Sequence, residues 1–460
     1  MSVLAFLDRD PELRRLRRAI DEAPSFVVVF GRRRLGKSRL IAEALRDRRH
    51  VYYVGDARDA VLQRRSFAAE IARHLPGFDA VDYPGWDALL ARLWADTRDG
   101  LAIAIDELPE LVARSPELPS VLSKHIDRAR SGGPSLVVAG SSQRMMRGLV
   151  LDAAAPLYGR AAEILEIQPL PLGWLGDAFG LRTPIAIVEH HAAWGGVPRY
   201  WELARGRGDV FEALEEVVLD PLGPLHREPE RLLLDEMSDV ARPASILSLI
   251  GRGVHRVSEI GGRLGIPATS LSRPLATLME LGYVAREVPF GRSIRDTKRT
   301  FYRLRDPFLR TWYRFVEPNR SRLGAGLAGQ VRAEVEAAWP GHVGEHWEEL
   351  ARDSLPHIEV RGRQWQPASR WWGRTRDGGR VELDLCAEAV DGSDVLVAEA
   401  KRTCSAREAR TALDELERKA ALVPPLAGRT IHVALFVLRR RGRLDDPRIV
   451  DAAQVVAAMR

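Results

Sequence analysis

The chain has 460 residues, of which 45% are hydrophobic and 29% are charged, with charges of both signs interspersed. This composition is that of a globular protein and excludes large-scale disorder, and the length corresponds to roughly three domains of about 150 residues each. A net charge of +6 favours an anionic partner without saying whether that partner is a nucleotide, a nucleic acid or a membrane surface.

The number of cysteines and the distribution of apolar residues indicate the cellular compartment in which we expect the protein. Cys386 and Cys404 have neither the number of a disulfide framework nor the paired spacing of a zinc site. The N-terminal residues contain no apolar run of signal-peptide type, and no stretch approaches the ~20 apolar residues of a membrane span. We therefore expect a soluble, cytoplasmic protein with no membrane partner.

Residues 1–234 alternate short apolar runs with amphipathic stretches, which predicts a parallel α/β sheet with helices on both faces. The runs are continuously apolar, as expected for parallel strands that are buried on both faces. A helical subdomain is expected from about residue 171. The predicted strands are 26–30, 51–54, 101–105, 136–139 and 164–167.

The first predicted strand is followed by residues 31–38, GRRRLGKS, and then by a helical run. This matches G-x-x-x-x-G-K-[ST] in its required context of strand, loop and helix, and so predicts a P-loop that binds ATP. We expect Lys37 to reach the β and γ phosphates and Ser38 to give a hydroxyl to Mg²⁺, while loop N–H groups wrap the phosphates. The predicted nucleotide-binding residues are Gly31, Arg32, Arg33, Arg34, Leu35, Gly36, Lys37, Ser38 and Arg39.

Two further strands end in polar residues. Residues 101–107, LAIAIDE, predict a Walker B element in which Asp106 holds Mg²⁺ through a water and Glu107 polarises the attacking water. In isolation the same pattern is a solvated strand end. After strand 136–139, Ser141 or Ser142 is expected either to sense the γ-phosphate or to cap the next helix.

Several segments together resemble the archaeal-type ATPase family, on the STAND and AAA+ side of the P-loop NTPases. The resemblance implies that Pro198 contacts the adenine side of the nucleotide and that Arg160 acts on phosphates, in its own or in a neighbouring subunit of a homo-oligomer. Without the family, Pro198 would be interpreted as part of a turn and Arg160 as a surface arginine. The segments are FGRRRLGKSRL, residues 6–9 with 12–13, 105–107, 156–160 and 195–198.

Residues 235–320 predict a winged-helix domain. Three short helices at 245–251, 257–264 and 269–281, with a turn at 265–267, have helix-turn-helix spacing, and strands 284–288 and 300–304 predict the wing. Such a domain either binds DNA phosphates or packs on the ATPase core and reports its nucleotide state. The predicted DNA-binding residues are Ser270, Arg273, Arg292, Arg295 and Lys298.

Residues 324–460 predict a small α/β domain. It opens with a helix over 327–355, broken at Pro340, and continues with two strand-like segments and a helix over 406–422. Asp384 and Glu399 are candidate metal ligands, with Glu348 as a further acid and Lys401 as a catalytic residue beside the attacking water. This is the layout of a PD-(D/E)xK nuclease, a fold that the family resemblance also implies; on the residues alone such a pattern is more often a solvated sheet edge.

The sequence therefore predicts an ATPase that uses ATP and Mg²⁺, and whose nucleotide state controls a winged-helix and nuclease-like module acting on DNA. The alternative is a STAND-type switch, in which ATP binding controls association with a protein partner and the nuclease-like domain is inactive.

Overall fold

The computed structural model describes residues 4–22, 24–97, 100–129, 133–237, 239–293, 295 and 299–460. These form two compact units. The P-loop unit comprises Phe6–Pro169 and Leu234–Ser238, and the C-terminal unit comprises Met1–Ala5, Leu170–Leu233 and Asp239–Arg460. None of the described helices combines the length and the apolar character that a membrane span requires.

The P-loop unit is built on a five-stranded parallel sheet with the strand order β2-β3-β4-β1-β5. Every residue of β1, β3 and β4 is buried, because helices cover both faces of the sheet. This confirms the predicted fold class. The strands are β1 Phe26–Phe30, β2 His50–Val54, β3 Ala102–Asp106, β4 Ser135–Gly140 and β5 Glu163–Glu166.

Among the described residues of this unit, seven helices connect and cover the strands. Their apolar faces supply the core of the unit, in which Phe67 lies between the rings of Tyr53 and Trp86. The helices are α1 Asp10–Asp21, α2 Lys37–Leu45, α3 Ala60–Ala72, α4 Trp86–Asp96, α5 Leu108–Arg114, α6 Leu118–Arg128 and α7 Gln143–Val150.

The C-terminal unit contains the helices that were predicted from about residue 171, which the prediction had grouped with the P-loop domain of residues 1–234. The turn between α9 and α10 contains Gly195, whose φ of +57° is in the left-handed region and whose carbonyl oxygen accepts a hydrogen bond of 2.7 Å from Nε1 of Trp201. The helices are α8 Leu175–Phe179, α9 Pro184–Trp194, α10 Pro198–Ala204, α11 Val210–Leu214 and α12 Glu228–Leu234.

A winged helix follows, as predicted. The third helix begins with a 3₁₀ turn, Ala268–Leu271, before its α-helical part, and the wing is an antiparallel pair of strands. The elements are α13 Ala241–Gly251, α14 Val257–Leu264, α15 Ser272–Glu280, β6 Val284–Glu287 and β7 Phe301–Leu304.

The predicted helix break at Pro340 is wrong. After the short helices α16 Pro307–Thr311 and α17 Arg320–Gly324, the helix α18 runs without interruption over Ala328–Ser354. A proline inside a helix removes one backbone hydrogen bond, a cost that favourable packing can outweigh. Here the preceding residue, Trp339, is buried and packs against the rings of Phe211, Phe315 and His342.

The last part of the chain contains more strands than the two predicted segments. Five strands form a mixed sheet with the order β12-β11-β10-β9-β8, and α19 packs against it. The prediction overlooked β11, although it pairs along its whole length with β10. The elements are β8 Ser369–Arg374, β9 Arg380–Glu388, β10 Asp394–Ser405, α19 Ala406–Leu422, β11 Thr430–Arg441, β12 Ile449–Asp451 and α20 Ala452–Ala458.

Candidate functional site

The turn from β1 into α2 has the backbone of a phosphate-binding loop. Gly31 has φ of +147°, and a Cβ at this position would lie 2.6 Å from the carbonyl oxygen of Ile167. Gly36 caps α2 with φ of +91°, again in the left-handed region. Only glycine adopts these conformations readily, so the two glycines of the motif fix the path of the loop.

Lys37 is buried, with 5% of its side chain exposed, and its ammonium group folds back onto the loop. Nζ donates hydrogen bonds to the carbonyl oxygens of Gly31 at 2.8 Å and Arg32 at 3.2 Å. Burial lowers the pKa of Lys37, while the carboxylates of Glu107 and Asp106 act in the opposite direction. An ammonium group that donates its hydrogen bonds to carbonyl oxygens is well placed to exchange them for the oxygens of an anion.

Ser38 and Asp106, the two predicted Mg²⁺ ligands of this unit, are in direct contact. The Ser38 hydroxyl donates to Oδ2 of Asp106 at 2.5 Å, and the Tyr52 hydroxyl donates to the same oxygen at 2.7 Å. The carboxylate therefore accepts two hydroxyl hydrogen bonds in addition to one from its neighbour's backbone N–H. Hydroxyl and carboxylate oxygens are the donors that Mg²⁺ prefers, so these residues fit the metal.

Glu107 lies at the carboxyl edge of the sheet in a strained backbone conformation, with φ of +55°. Its carboxylate accepts hydrogen bonds from the backbone N–H of Ser141, at 3.0 Å, and from the Ser141 hydroxyl. The structure thus brings together Glu107 and Ser141, which the sequence assigned separately to catalysis and to phosphate sensing. Ser142, the other candidate, is the N-cap of α7.

The other predicted loop residues take varied positions. Arg32 and Leu35 are buried, and the guanidinium group of Arg39 lies 5.8 Å from the centre of the Phe6 ring. Arg33 is half exposed and pairs with Asp235 at 2.9 Å. Arg34 adopts φ of +73°.

An acidic pair that the sequence analysis missed also lies here. Glu236 is 8% exposed and accepts hydrogen bonds from the backbone N–H groups of Gln143 and Arg144 and from the Ser142 hydroxyl, at 3.0, 3.3 and 3.2 Å. Burial raises the pKa of both Glu236 and Asp235. Both acids act electrostatically on Lys37. In the sequence the pair falls at the start of the predicted winged-helix domain, where no motif marks it, whereas in the structure it belongs to the P-loop unit.

Arg160 does not lie near the P-loop of its own chain. It precedes β5, and its guanidinium group pairs with Asp127 at 2.8 Å and donates to the Pro156 carbonyl oxygen. The Ala162 N–H bonds to the Phe26 carbonyl oxygen at the amino end of β1, whereas the P-loop leaves the carboxyl end, about 13 Å further along the strand. A role for Arg160 in a neighbouring subunit remains a prediction.

Pro198 is the first residue of α10 in the C-terminal unit. It follows the tight turn at Gly195, which matches the interpretation made without the family. Contact between Pro198 and adenine remains a prediction.

The candidate DNA-binding residues lie on the surface of the winged helix. Ser270 and Arg273 are exposed at the start of the third helix, and Arg292 and Arg295 are exposed between β6 and β7. Lys298 lies outside the described residues. The structure therefore places four of the five predicted residues where a nucleic acid can reach them.

The C-terminal acids lie close enough to influence one another. Burial, and next the charge of Asp384, raise the pKa of Glu348 to about 7. Burial also raises the pKa of Asp384, although its Oδ2 accepts a hydrogen bond from the Ala400 N–H at 3.1 Å. Within the described part of the chain, no three His, Cys, Asp or Glu side chains are grouped as a metal site requires.

Glu399 is held by two lysines. Its carboxylate pairs with Lys401 at 2.7 Å and with Lys419, on α19, at 3.0 Å. Although burial opposes the shift, these ammonium groups lower the pKa of Glu399. Lys419 was missed in the sequence, yet a signal existed, since the chain contains only five lysines.

Three parts of the chain match known families. Residues 6–174 match an ATPase domain found predominantly in Archaea, and residues 240–287 match the IclR helix-turn-helix domain. Residues 312–412 match a family of archaeal and bacterial proteins of unknown function. The first and second matches agree with the P-loop unit and the winged helix in the structure.

Two relatives extend over more of the chain. An uncharacterized protein of Methanocaldococcus jannaschii is 27% identical over 426 residues, which are 91% of this chain and 92% of that protein. The structure of a Walker-type ATPase of Pyrococcus abyssi has a TM-score of 0.51 and 20% identity, and covers 67% of this chain and 95% of that one. The chain is thus similar to an archaeal ATPase domain in sequence and to a Walker-type ATPase in fold.

Proposed function

We propose that this protein binds ATP with Mg²⁺ at residues 31–38 and hydrolyses it, and that its nucleotide state controls a winged-helix module acting on DNA. The observation that carries the proposal is the convergence of Lys37, Ser38, Asp106 and Glu107 at the carboxyl edge of one parallel sheet. Ligands of open α/β sheets bind at this edge. The match of residues 6–174 to an ATPase domain supports the same function.

Each residue has a role that follows from its chemistry. Lys37 exchanges the loop carbonyl oxygens for phosphate oxygens, and Ser38 with Asp106 would hold Mg²⁺. Bound there, Mg²⁺ neutralises charge that develops on the phosphates. Glu107 accepts a hydrogen bond from the attacking water, which orients the water, and then takes its proton. Its two hydrogen bonds from Ser141 leave further lone pairs of the carboxylate available for this water.

Residues 234–238, which contain Asp235 and Glu236 and are called the acidic segment, would transmit the nucleotide state to the rest of the chain. Residues 234–238 belong to the P-loop unit, whereas the residues on both sides of them belong to the C-terminal unit. Phosphates bound by Lys37 would add negative charge near Asp235 and Glu236, and like charges repel. Nucleotide binding would therefore weaken the contacts of this segment. The segment is followed directly in the chain by the winged helix.

The first test compares Lys37→Ala with Lys124→Ala. Lys124 is an exposed lysine that pairs with Asp87 and has no contact with the loop. We expect Lys37→Ala to lose ATP hydrolysis and most ATP binding, measured by phosphate release and equilibrium binding, while the Lys124→Ala variant behaves as the wild type. An unchanged rate in Lys37→Ala would refute the proposed active site.

A second candidate function is a nucleotide switch that binds a protein partner and has an inactive nuclease-like domain. The pairing of Glu399 with two lysines favours it, because a paired carboxylate is less available to a metal. Cleavage of plasmid and linear DNA with Mg²⁺ or Mn²⁺ separates the candidates. Cleavage that is lost in Asp384→Ala would indicate a nuclease, and ATP hydrolysis without cleavage in either protein would favour the switch.

A further inference from the structure

A cavity of 980 Å³ lies in the C-terminal unit between the winged helix and the hairpin of β8 and β9. Arg256, Ala268 and Phe301 line the side formed by the winged helix. Trp372, Arg374 and Arg380 line the side formed by the hairpin. We call this cavity the inter-module groove.

The charge of the inter-module groove favours an anion. Arg374 and Arg380 are directly opposite each other across the two strands, an arrangement that is unfavourable for like charges unless something neutralises them. Among the residues that the structure describes, no carboxylate pairs with either guanidinium group. The acid that lines the groove, Glu382, is instead paired with Arg370.

The same groove has an aromatic wall. The rings of Phe301 and Trp372 stack with their centres 4.6 Å apart and their planes 9° apart, and both side chains are half buried. The Arg256 guanidinium group lies 5.3 Å from the centre of the Phe301 ring. Cationic grooves with flat aromatic surfaces are typical of sites where the bases of a single strand stack and its backbone is neutralised.

The volume and the location of the inter-module groove limit the class of ligand further. The groove is at the upper end of the roughly 300–1,000 Å³ of small-molecule sites, which accommodates a few nucleotides and not a duplex. Ala268 lies two residues before Ser270, so the groove opens beside the start of the third helix of the winged helix. At the other side, Glu382 lines the groove and is close enough to Glu348 to act on it electrostatically.

We propose that the inter-module groove binds a single DNA strand, with phosphates at Arg374 and Arg380 and a base against Trp372, beside the predicted DNA-binding surface of the winged helix. This inference rests on the proposed action on DNA and specifies which form of DNA the C-terminal unit holds. It assigns recognition of the DNA strand to residues of the β8–β9 hairpin that the sequence analysis did not single out.

The test measures fluorescence anisotropy of a labelled DNA oligonucleotide, single-stranded or as a duplex, with the full-length protein over a range of salt concentrations. The variants are Arg374→Gln/Arg380→Gln and Trp372→Leu. The control is Arg65→Gln/Arg73→Gln, which removes two exposed charges from the region of α3 in the P-loop unit. Circular dichroism melting confirms that each variant is folded.

We expect Arg374→Gln/Arg380→Gln to weaken single-strand binding at least tenfold. The slope of log K against log salt concentration should decrease in magnitude by about 1.4, the value for two phosphate contacts. Trp372→Leu should weaken single-strand binding about tenfold with an unchanged slope, because stacking releases no counterions. Duplex binding should change less than twofold in both, and the control should bind as the wild type.

Equal losses for single strand and duplex, or wild-type binding by both groove variants, would overturn the inference. In the second case, weaker duplex binding by Arg273→Ala would show that the action on DNA still holds. Tighter binding of an RNA strand of the same sequence would overturn the assignment to DNA. If the wild type bound neither form of DNA, the proposed action on DNA would itself be wrong and the groove assignment with it.

Discussion

The Ser38 hydroxyl donates a hydrogen bond of 2.5 Å to Oδ2 of Asp106, and so joins the first turn of α2 to the end of β3. The two residues are 68 positions apart in the chain. Parallel strands place both of them at the same edge of the sheet, although β4 lies between β1 and β3. A hydroxyl and a carboxylate that share a proton in this way can open to bind a divalent cation together.

Asp106→Asn should remove most of the Mg²⁺-dependent activity. The neutral amide retains a hydrogen-bond acceptor for Ser38 but loses the charge that attracts the metal, so we expect the rate of ATP hydrolysis to fall about 100-fold or more. A Mg²⁺ titration of the rate measures the effect. Tyr52→Phe is the control, since it removes one hydrogen bond from the same carboxylate and should cost about tenfold at most. Equal losses in both variants would argue against a metal role for Asp106.

Glu107→Gln should separate binding from hydrolysis. The amide preserves the shape of the side chain but cannot take a proton from water, so we expect hydrolysis to fall about 10²- to 10³-fold. ATP affinity should change little, because Lys37 and the loop are intact. Single-turnover hydrolysis and equilibrium binding of ATP distinguish the two effects. A variant that lost binding and hydrolysis in parallel would place Glu107 among the structural residues.

The P-loop unit was largely predictable from the sequence, because buried parallel strands and the phosphate loop have strong local patterns. The contacts of Tyr52 and Glu236 were not, since they depend on strand order and on a segment far away in the chain. The helix through Pro340 was mispredicted because tertiary packing of Trp339 overrides the local preference. Strand β11 was predictable by the same rule, because residues 433–438 are continuously apolar and buried, and the sequence prediction overlooked this run.

Gly31→Ala should destabilise the P-loop unit. A Cβ would lie 2.6 Å from the backbone oxygen of Ile167, and φ of +147° is unfavourable for alanine, so we expect a loss of about 2–3 kcal/mol of unfolding free energy. Gly148→Ala is the matched control. Gly148 is exposed in α7, and a Cβ added there would meet no atom within 4 Å beyond the backbone of its own helix, so alanine should stabilise by about 0.5–1 kcal/mol. Thermal unfolding of both variants, with opposite shifts in Tm, checks the prediction.

The C-terminal unit should lose stability in mild acid. His342 is 1% exposed, and burial, followed by the charges of Arg310 and Arg314, lowers its pKa from 6.5 to about 3. Between these two values the unfolded chain binds a proton that the folded chain does not. Neutral His342 therefore contributes fully to the free energy of unfolding above about pH 6.5. The free energy of unfolding decreases as the pH falls, by about 2 kcal/mol at pH 5.

The pH dependence of Tm in His342→Asn tests this cause. The variant should be less stable at pH 7.5, because Thr311 loses its contact with Nε2, but its Tm should decline less between pH 7 and pH 5. The same substitution at His357, which is exposed, controls for the loss of an imidazole. An equal decline in wild type and His342→Asn would assign the acid sensitivity to other groups.

Glu236→Gln should strengthen ATP binding if the acidic segment competes with the nucleotide. The substitution removes a negative charge that acts on Lys37, while the amide oxygen still accepts a hydrogen bond from the start of α7. We expect the Kd for ATP to fall about three- to tenfold, which corresponds to roughly 0.7–1.4 kcal/mol of relieved repulsion. Glu202→Gln, which breaks a surface pair with Arg199, is the control for charge alone. Weaker ATP binding in Glu236→Gln would instead make Glu236 a support of the nucleotide site, since its loss would then disorder α7 more than it relieved repulsion.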